Sequence, residues 1–294
     1  MDHNTFVLQN MKPPSIRKRE VDLVIISDIH LGAVGCHAKE LLQYLKSIKP
    51  KMLVLNGDII DIWQFRKRFF PKSHLKVIRH LTGLIAKNNK VVYITGNHDE
   101  LLRKFVQFNN GSFKLVNKLL LDLHGKKVWI FHGDVFDITM QYSKWLARLG
   151  SFGYDFLILL NSFSNFILTR LGQEKISFSK RIKHSVKSAV SYINKFEETA
   201  ADIAISKGYS YVICGHIHQP EIRKISNLHG EVMYLNSGDW VENLSSLEYH
   251  KGHWRIYHFR EDQHAKAYSR ISKKVETPSH KETFENLLQE LKMG

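Results

Sequence analysis

Five short apolar runs in this 294-residue chain each stop at residues that a hydrophobic core does not use. Val24-Ile25-Ile26-Ser27 runs into Asp28-Ile29-His30-Leu31-Gly32, and Met52-Leu53-Val54-Leu55 into Asn56-Gly57-Asp58. Val91-Val92-Tyr93-Ile94 leads to Gly96-Asn97-His98-Asp99-Glu100. Val128-Trp129-Ile130-Phe131 leads to His132-Gly133-Asp134, and Tyr211-Val212-Ile213-Cys214 to Gly215-His216-Ile217-His218. Runs of β-branched and aromatic residues closed by Gly or Asn read as buried strands ending in loops. One such loop is an ordinary turn, because Asn, Asp and Gly are turn residues. Five with one grammar put carboxylates, an amide and imidazoles past the carboxyl ends of strands, the edge where open α/β sheets bind ligands.

The segments between these runs supply the crossovers. Leu41, Leu42, Leu45 and Ile48 lie at helical spacing, predicting a helix over residues 38–48 and a parallel βαβ unit. A second helix is expected over residues 73–87. Leu115–Leu123 and Lys127–Phe131 flank His124-Gly125, the pattern of an antiparallel pair with a tight turn. Residues 232–236 and 254–259 read as another such pair, and Asn236-Ser237-Gly238-Asp239-Trp240 between them as a structural turn. Phe284, Leu287, Leu288 and Leu291 predict a terminal helix. Residues 1–20 read as an irregular basic arm, with Pro13-Pro14 opposing helix, and 21–294 as the main domain.

Residues 140–204 differ in kind. They lack strand alternation, concentrate apolar side chains such as Trp145 and Phe156, and then turn basic at Lys180 and Lys183. Polar Asp155, Asn161 and Ser162 interrupt the apolar part, which argues against a membrane span. Apolar followed by basic suits a helical lid over an amphiphile, or an interfacial helix on anionic lipid; a helical insertion with its own core fits equally. Arg66, after the second motif, either contacts phosphate or lies on a solvated face.

A net charge of +15 calls for an anionic partner or a solubilising surface. No RNA-recognition, helix-turn-helix or zinc-finger signature accompanies it, so no specific nucleic acid is expected. Two distant cysteines, Cys36 and Cys214, exclude a disulfide framework and point to a reducing compartment. The polar start carries no secretory pattern. Oligomeric state leaves no mark in the sequence.

Carboxylates, an amide and imidazoles without thiolate in these motifs suit divalent transition metals, Mn²⁺ foremost, with Fe or Zn²⁺ sharing the preference. His-Glu-x-x-His and Gly-x-Ser-x-Gly are absent from the sequence, which argues against zinc-protease and serine-hydrolase chemistry. The set Asp28-x-His30, Gly57-Asp58, Gly96-Asn97-His98-Asp99, His132-Gly133-Asp134 and Gly215-His216-x-His218 resembles the calcineurin-type metallophosphoesterase superfamily. That resemblance implies an α/β fold, a four-layer αββα sandwich with two metals at one edge. It implies Asp28, His30 and His218 on one metal, Asn97, His132 and His216 on the other, and Asp58 bridging them. It further implies His98 as the group meeting the phosphoryl oxygen or leaving group, with Asp99 expected to orient it.

Within the superfamily, Ser-Asp-x-His-Leu-Gly, the triad Gly57, Asp58 and Asp61, and a lid before Gly-His-x-His look most like the UDP-2,3-diacylglucosamine diphosphatases of lipid A synthesis. The well-known proteobacterial members carry Arg after the Asn; His98 stands there in this chain, as in the wider superfamily. The implied substrate is a nucleotide-linked glycolipid cleaved to lipid X and UMP. The implied setting is cytoplasmic, on the anionic inner-membrane surface. The alternatives are a metallophosphoesterase with another substrate and a non-catalytic membrane-surface module; Arg66, Trp145, Phe156, Lys180 and Lys183 are the candidate substrate contacts.

Overall fold

The computed structural model describes residues 17–62, 70–140 and 179–268, with backbone only at 138–140 and 179–190. Strict alternation along the first strands decides the architecture. In β1 (Arg19–Ile26), Leu23 and Ile25 face one cluster while Val24 and Ile26 face another. β2 (Ile48–Asn56) and β3 (Lys90–Ile94) repeat this, with Val54, Val92 and Ile94 on the inner side and Leu53, Leu55, Val91 and Tyr93 on the outer. A strand apolar on both faces must be covered on both. Helices α1 (Ala38–Ser47) and α2 (Lys72–Ala86) cover the outer face, burying Leu41, Tyr44, Leu45, Val77 and Leu81.

The inner face meets a second sheet. The first sheet has the order β11-β10-β1-β2-β3-β4, with β4 at Phe113–Val116, β10 at Ser245–His250 and β11 at His253–His258. The second has the order β5-β6-β7-β9-β8: β5 (Lys118–Leu123), β6 (Lys126–Phe131), β7 (Tyr211–Cys214), β8 (Glu221–Asn227) and β9 (Gly230–Asn236). Val128, Ile130, Ile213 and Leu235 of this sheet join Leu23, Ile25, Val54 and Leu247 of the first in one core. α3 (Val135–Met140) follows β6, and α4 (Ser179–Ser206) lies on the outer face of the second sheet. Helix, sheet, sheet, helix is the four-layer αββα sandwich that the family resemblance implied.

Several local expectations change. The run Leu115–Leu123 is two strands: β4 pairs parallel with β3, and after Asn117 β5 crosses to pair antiparallel with β6. The strands near 232–236 and 254–259 are not partners. β9 pairs with β7 and β8, while β11 pairs with β10 in the other sheet. β1 begins at Arg19, within the expected arm, because the Arg19 guanidinium is held by Glu248 of β10 at 2.6 and 2.8 Å. In α4, Phe196, Ala200, Ala201 and Ala204 are buried against the second sheet. That end of the 140–204 interval is therefore a structural layer. Residues 1–16, 63–69, 141–178 and 269–294 lie outside the described residues, and with them most of the expected lid and the terminal helix.

Candidate metal centre

The five motif strands β1, β2, β3, β6 and β7 all deliver their loops to one edge, because each is parallel to its neighbour within its sheet. Backbone bonds set the spacing: Asp28 N–H donates to Gly57 O (3.1 Å), His30 N–H to Asp58 O (2.9 Å) and Gly215 N–H to His132 O (2.9 Å). Five of the gathered residues hold left-handed backbones: Asp28 (φ 52°), His30 (54°), Asp58 (54°), His216 (67°) and His218 (56°). Such conformations cost energy in non-glycine residues and collect where geometry serves function. Left-handed backbones at these five residues are the strained signature of a built site.

Among the described residues the side chains form three trios, one of them His30, Asp61 and His98. Asp28, His30 and His218 present ligand atoms within 4.8 Å of one another, and so do Asp58, His132 and His216. His218 Nε2 lies 3.3 Å from Asp28 Oδ1, and His132 Nε2 lies 3.3 Å from Asp58 Oδ2. Asn97 enters from the loop after β3, where Gly96 has no room for a Cβ: one would meet Asp58 Oδ1 at 2.2 Å. His98 follows, with its backbone N–H donating to Asp58 Oδ1 at 2.8 Å.

Charge in the cluster is polarised by proximity. Burial pushes Asp28 up, yet His218 beside it outweighs this and holds the carboxyl at about 2. Burial likewise opposes ionisation of Asp58, and His132 more than reverses it. The imidazoles respond in kind. Burial lowers His218 and Asp28 raises it to about 9, while Asp58 carries His132 well above its ordinary value.

Whether divalent metals fit is decided by the buried atoms that find no hydrogen-bond partner. Asp28 Oδ1, His30 Nε2, Asn97 Oδ1 and His132 Nε2 are all of this kind, Asp28 Oδ1 and His132 Nε2 having only the 3.3 Å ion-pair contacts above. A buried polar atom without a partner is costly, so four in one cluster need a common one. Clustered oxygen and imidazole donors of this kind fit divalent cations.

The orienting carboxylate beside His98 is not the one expected. Asp99 accepts from Tyr93 Oη (2.5 Å), Gly96 N–H (2.6 Å) and Ile59 N–H (3.0 Å), and so ties the β3 loop to the β2 loop. Burial raises its pKa. Asp61 stands beside the imidazole instead, with Oδ2 3.2 Å from His98 Nδ1 and 3.3 Å from His30 Nδ1. Burial lowers the His98 pKa and the Asp61 contact raises it, with a net rise. The sequence reading noted Asp61 only as part of a motif.

Two more supports had no role in the sequence reading. Asp137 of α3 puts Oδ2 2.9 Å from His216 Nε2 and accepts the Tyr192 hydroxyl. Asp239 lies fully buried, 3.6 Å from His218 Nδ1, with Oδ1 accepting Val241 and Asn243 N–H. Asp239 fell in the stretch taken as a plain turn, and flanked by Ser237, Gly238 and Trp240 it carries no distinct signal of its own. Asp137 carries no local signal. Arg66, Trp145 and Phe156 lie outside the described residues, as do the side chains of Lys180 and Lys183.

The model of the calcineurin-like phosphoesterase family matches residues 21–220. The chain is 26% identical over 234 residues to the UDP-2,3-diacylglucosamine hydrolase of Aliivibrio fischeri (strain MJ11), covering 77% of this chain and 94% of that one. The enzyme of the same name from Stenotrophomonas maltophilia (strain K279a) is 26% identical over 251 residues, covering 79% and 96%. A solved archaeal phosphodiesterase aligns over 80% of this chain and 98% of its own at 14% identity, with a TM-score of 0.41.

Proposed function

This chain belongs to the calcineurin-like phosphoesterase family, and from that premise we propose that it hydrolyses the pyrophosphate of UDP-2,3-diacylglucosamine, releasing UMP and the 1-phosphate of the diacylated sugar. Its membership of a hydrolytic family supports an enzyme. The observation carrying the chemistry is the set of ligand trios with four unpartnered buried atoms among them. The substrate reading is supported by relatives of that name, matched over nearly their whole length.

In this reading Asp28, His30 and His218 would hold one divalent ion, and Asn97, His132 and His216 the other, with Asp58 serving both. Mn²⁺ suits the donor set, as do Fe and Zn²⁺. Such ions, when bound, supply Lewis acidity toward phosphoryl oxygens and lower the pKa of water. The protein's own groups do the rest. Asp61 occupies the Nδ1 side of His98, leaving Nε2 on the Asp58 side, 4.0 Å from Oδ2. From there Nε2–H donates to a phosphoryl oxygen or to the leaving oxygen. Asp137 and Asp239 fix the rings of His216 and His218 from behind, as carboxylates commonly orient metal-bound imidazoles.

No described helix is long and apolar enough to cross a membrane. A substrate with two acyl chains resides in a bilayer, so the proposed setting is the anionic inner surface, with the protein attached peripherally. His98 favours a second reading, a different phosphodiester, since the wider superfamily shares it.

The test is metal-reconstituted protein on UDP-2,3-diacylglucosamine beside bis-p-nitrophenyl phosphate, with Asp58→Ala as control. Preferential UMP release, lost in the variant, is expected. Turnover of the generic diester alone overturns the substrate and leaves the hydrolytic chemistry.

A further inference from the structure

His218 and His216, one from each proposed ligand set, are backed by carboxylates that are built differently. Behind His218 stands Asp239, fully buried, with Oδ1 accepting Val241 and Asn243 N–H and Oδ2 accepting the Asn243 side-chain amide at 2.7 Å. All of these donors come from one tight loop, so this support is local. Behind His216 stands Asp137 of α3, and its support comes from afar. Its Oδ2 lies 2.9 Å from His216 Nε2, while Oδ1 accepts the hydroxyl of Tyr192, 55 residues further on in α4. Both carboxylate oxygens are thus engaged. The last torsion of an aspartate is soft, so a carboxylate held at one oxygen turns and one held at both does not.

The fold of α4 explains why the phenol arrives there. Tyr192 and Phe196 are four residues apart and share a helix face. Phe196 is fully buried, with its ring edge-on to Phe136 of α3 at 5.4 Å between centroids. It also fills the space left by Gly133, where an added Cβ would meet Phe196 Cζ at 2.7 Å. Phe196 therefore seats α4 on α3 and on the His132–Asp134 loop, and one turn earlier Tyr192 reaches Asp137. The start of α3 is fixed to that loop in turn, Phe136 N–H donating to Gly133 O (3.1 Å) and Asp137 N–H to Asp134 O (3.0 Å).

The Phe136–Phe196 contact already joins the two helices, so the hydroxyl adds orientation rather than adhesion. A phenol shielded from water needs a partner for its O–H. Burial and the Asp137 contact raise the Tyr192 pKa, so the group donates at neutral pH. The effect reaches the ligand nitrogens. His132 Nδ1 lies 2.9 Å from Asn56 O, which leaves Nε2 for an ion. His216 is the reverse: Asp137 occupies Nε2 and leaves Nδ1. The hydrogen bond at one ring nitrogen sets which nitrogen is offered to a metal.

We propose that Tyr192 is a positioning residue for the ion assigned to Asn97, His132 and His216, acting through Asp137 to fix the His216 ring. The affinity of that ion then depends on how α4 is seated, whereas the ion assigned to Asp28, His30 and His218 is independent of it. The inference rests on the two-ion reading above and adds which of the two ions α4 controls.

The experiment is a Mn²⁺ titration of the EDTA-stripped, full-length protein, with free Mn²⁺ read by electron paramagnetic resonance. The variants are Tyr192→Phe, Asp137→Ala and the two combined. Tyr209→Phe, which removes a hydroxyl just beyond α4 where the ring packs near Trp129, is the control. Tyr192→Phe is expected to weaken one of two bound ions about tenfold and to leave the other unchanged. Retention of the other ion also shows that the variant folds. Asp137→Ala should weaken the same ion more, by up to about a hundredfold. The double variant should be no weaker than Asp137→Ala alone, because a residue that acts through another adds nothing once that other is gone. Tyr209→Phe should match the wild type.

Equal weakening of both ions in Tyr192→Phe would overturn the proposal in favour of a general loosening of the fold. Additive losses in the double variant would overturn the route through Asp137. Two ions bound as in the wild type by Tyr192→Phe would sink the proposal and leave the two-ion reading intact. A wild type that binds no Mn²⁺ would sink that reading and the proposal with it.

Discussion

At the scale of single residues, the site depends on what is missing as much as on its ligands. Gly57 has φ +81°, and an added Cβ would lie 2.3 Å from the His132 ring. Gly57→Ala thus combines a strained backbone with overpacking, each costing about 1–3 kcal/mol. Gly111→Ala separates the two effects, since Gly111 has φ +86° but open space around it. We expect Gly57→Ala to destabilise by about 3 kcal/mol, roughly twice the cost at Gly111, and to lower bound Mn²⁺ as His132 is displaced. Denaturant titration and metal analysis check both. Equal costs at the two glycines would mean that the close approach carries nothing. At this scale the sequence was informative about residues that end strands and poor on those that support them. Asp28, Asp58 and His132 announce themselves by position after an apolar run. Asp137 sits mid-helix, and its bond to His216 needs the α3–β7 contact to be seen. Asp99 and Asp61 show the same limit: adjacency suggested Asp99 for His98, yet the loop turns Asp99 toward backbone amides and brings Asp61 from another strand.

Whole elements were legible where burial imposes a pattern. β1, β2, β3, β6 and β7 are apolar on both faces and read directly. β8, Glu221–Asn227, is half-exposed and polar. β10, with the sequence Ser-Ser-Leu-Glu-Tyr-His, reads as a loop although five of its six residues are buried. It is a strand because its polar groups are satisfied in three dimensions. Glu248, 1% exposed, accepts from Arg19 of β1, Tyr44 of α1 and Arg255 of β11. This carboxylate therefore ties three elements together. Burial pushes Glu248 up, but Arg19, Tyr44 and Arg255 together hold it below the usual 4.5. A depressed carboxylate stabilises the fold fully above its unfolded pKa, and that stability drains as pH falls through the lower folded value. Glu248→Gln should therefore cost about 2 kcal/mol near neutrality. The gap to wild type should shrink as pH drops below 4.5. Denaturant melts across that range test it; a gap that widens in acid would refute the assignment.

For the whole molecule, the layers and the metal centre are one problem. Asp28, His30, Asp58 and Asn97 follow strands of the first sheet, whereas His132, His216 and His218 follow strands of the second. Protein groups already cross that seam: Asn56 Nδ2 donates to Phe131 O at 3.1 Å, and His216 N–H to Asp28 Oδ2 at 3.0 Å. Each proposed ion adds a crossing of the same kind, since each ligand set draws on both sheets. An ion that binds only the folded state contributes about 2.7 kcal/mol at a free concentration a hundredfold above its Kd. Mn²⁺ should then raise Tm by several degrees, EDTA should reverse the rise, and Asp58→Asn should remove most of it. The seam predicts where the added stability appears. Hydrogen exchange should slow in β2 and in β7 together, because opening either sheet releases both ions. Protection confined to one sheet would mean that ions are held by that sheet's residues alone, and the division of ligands between sheets would fall with it.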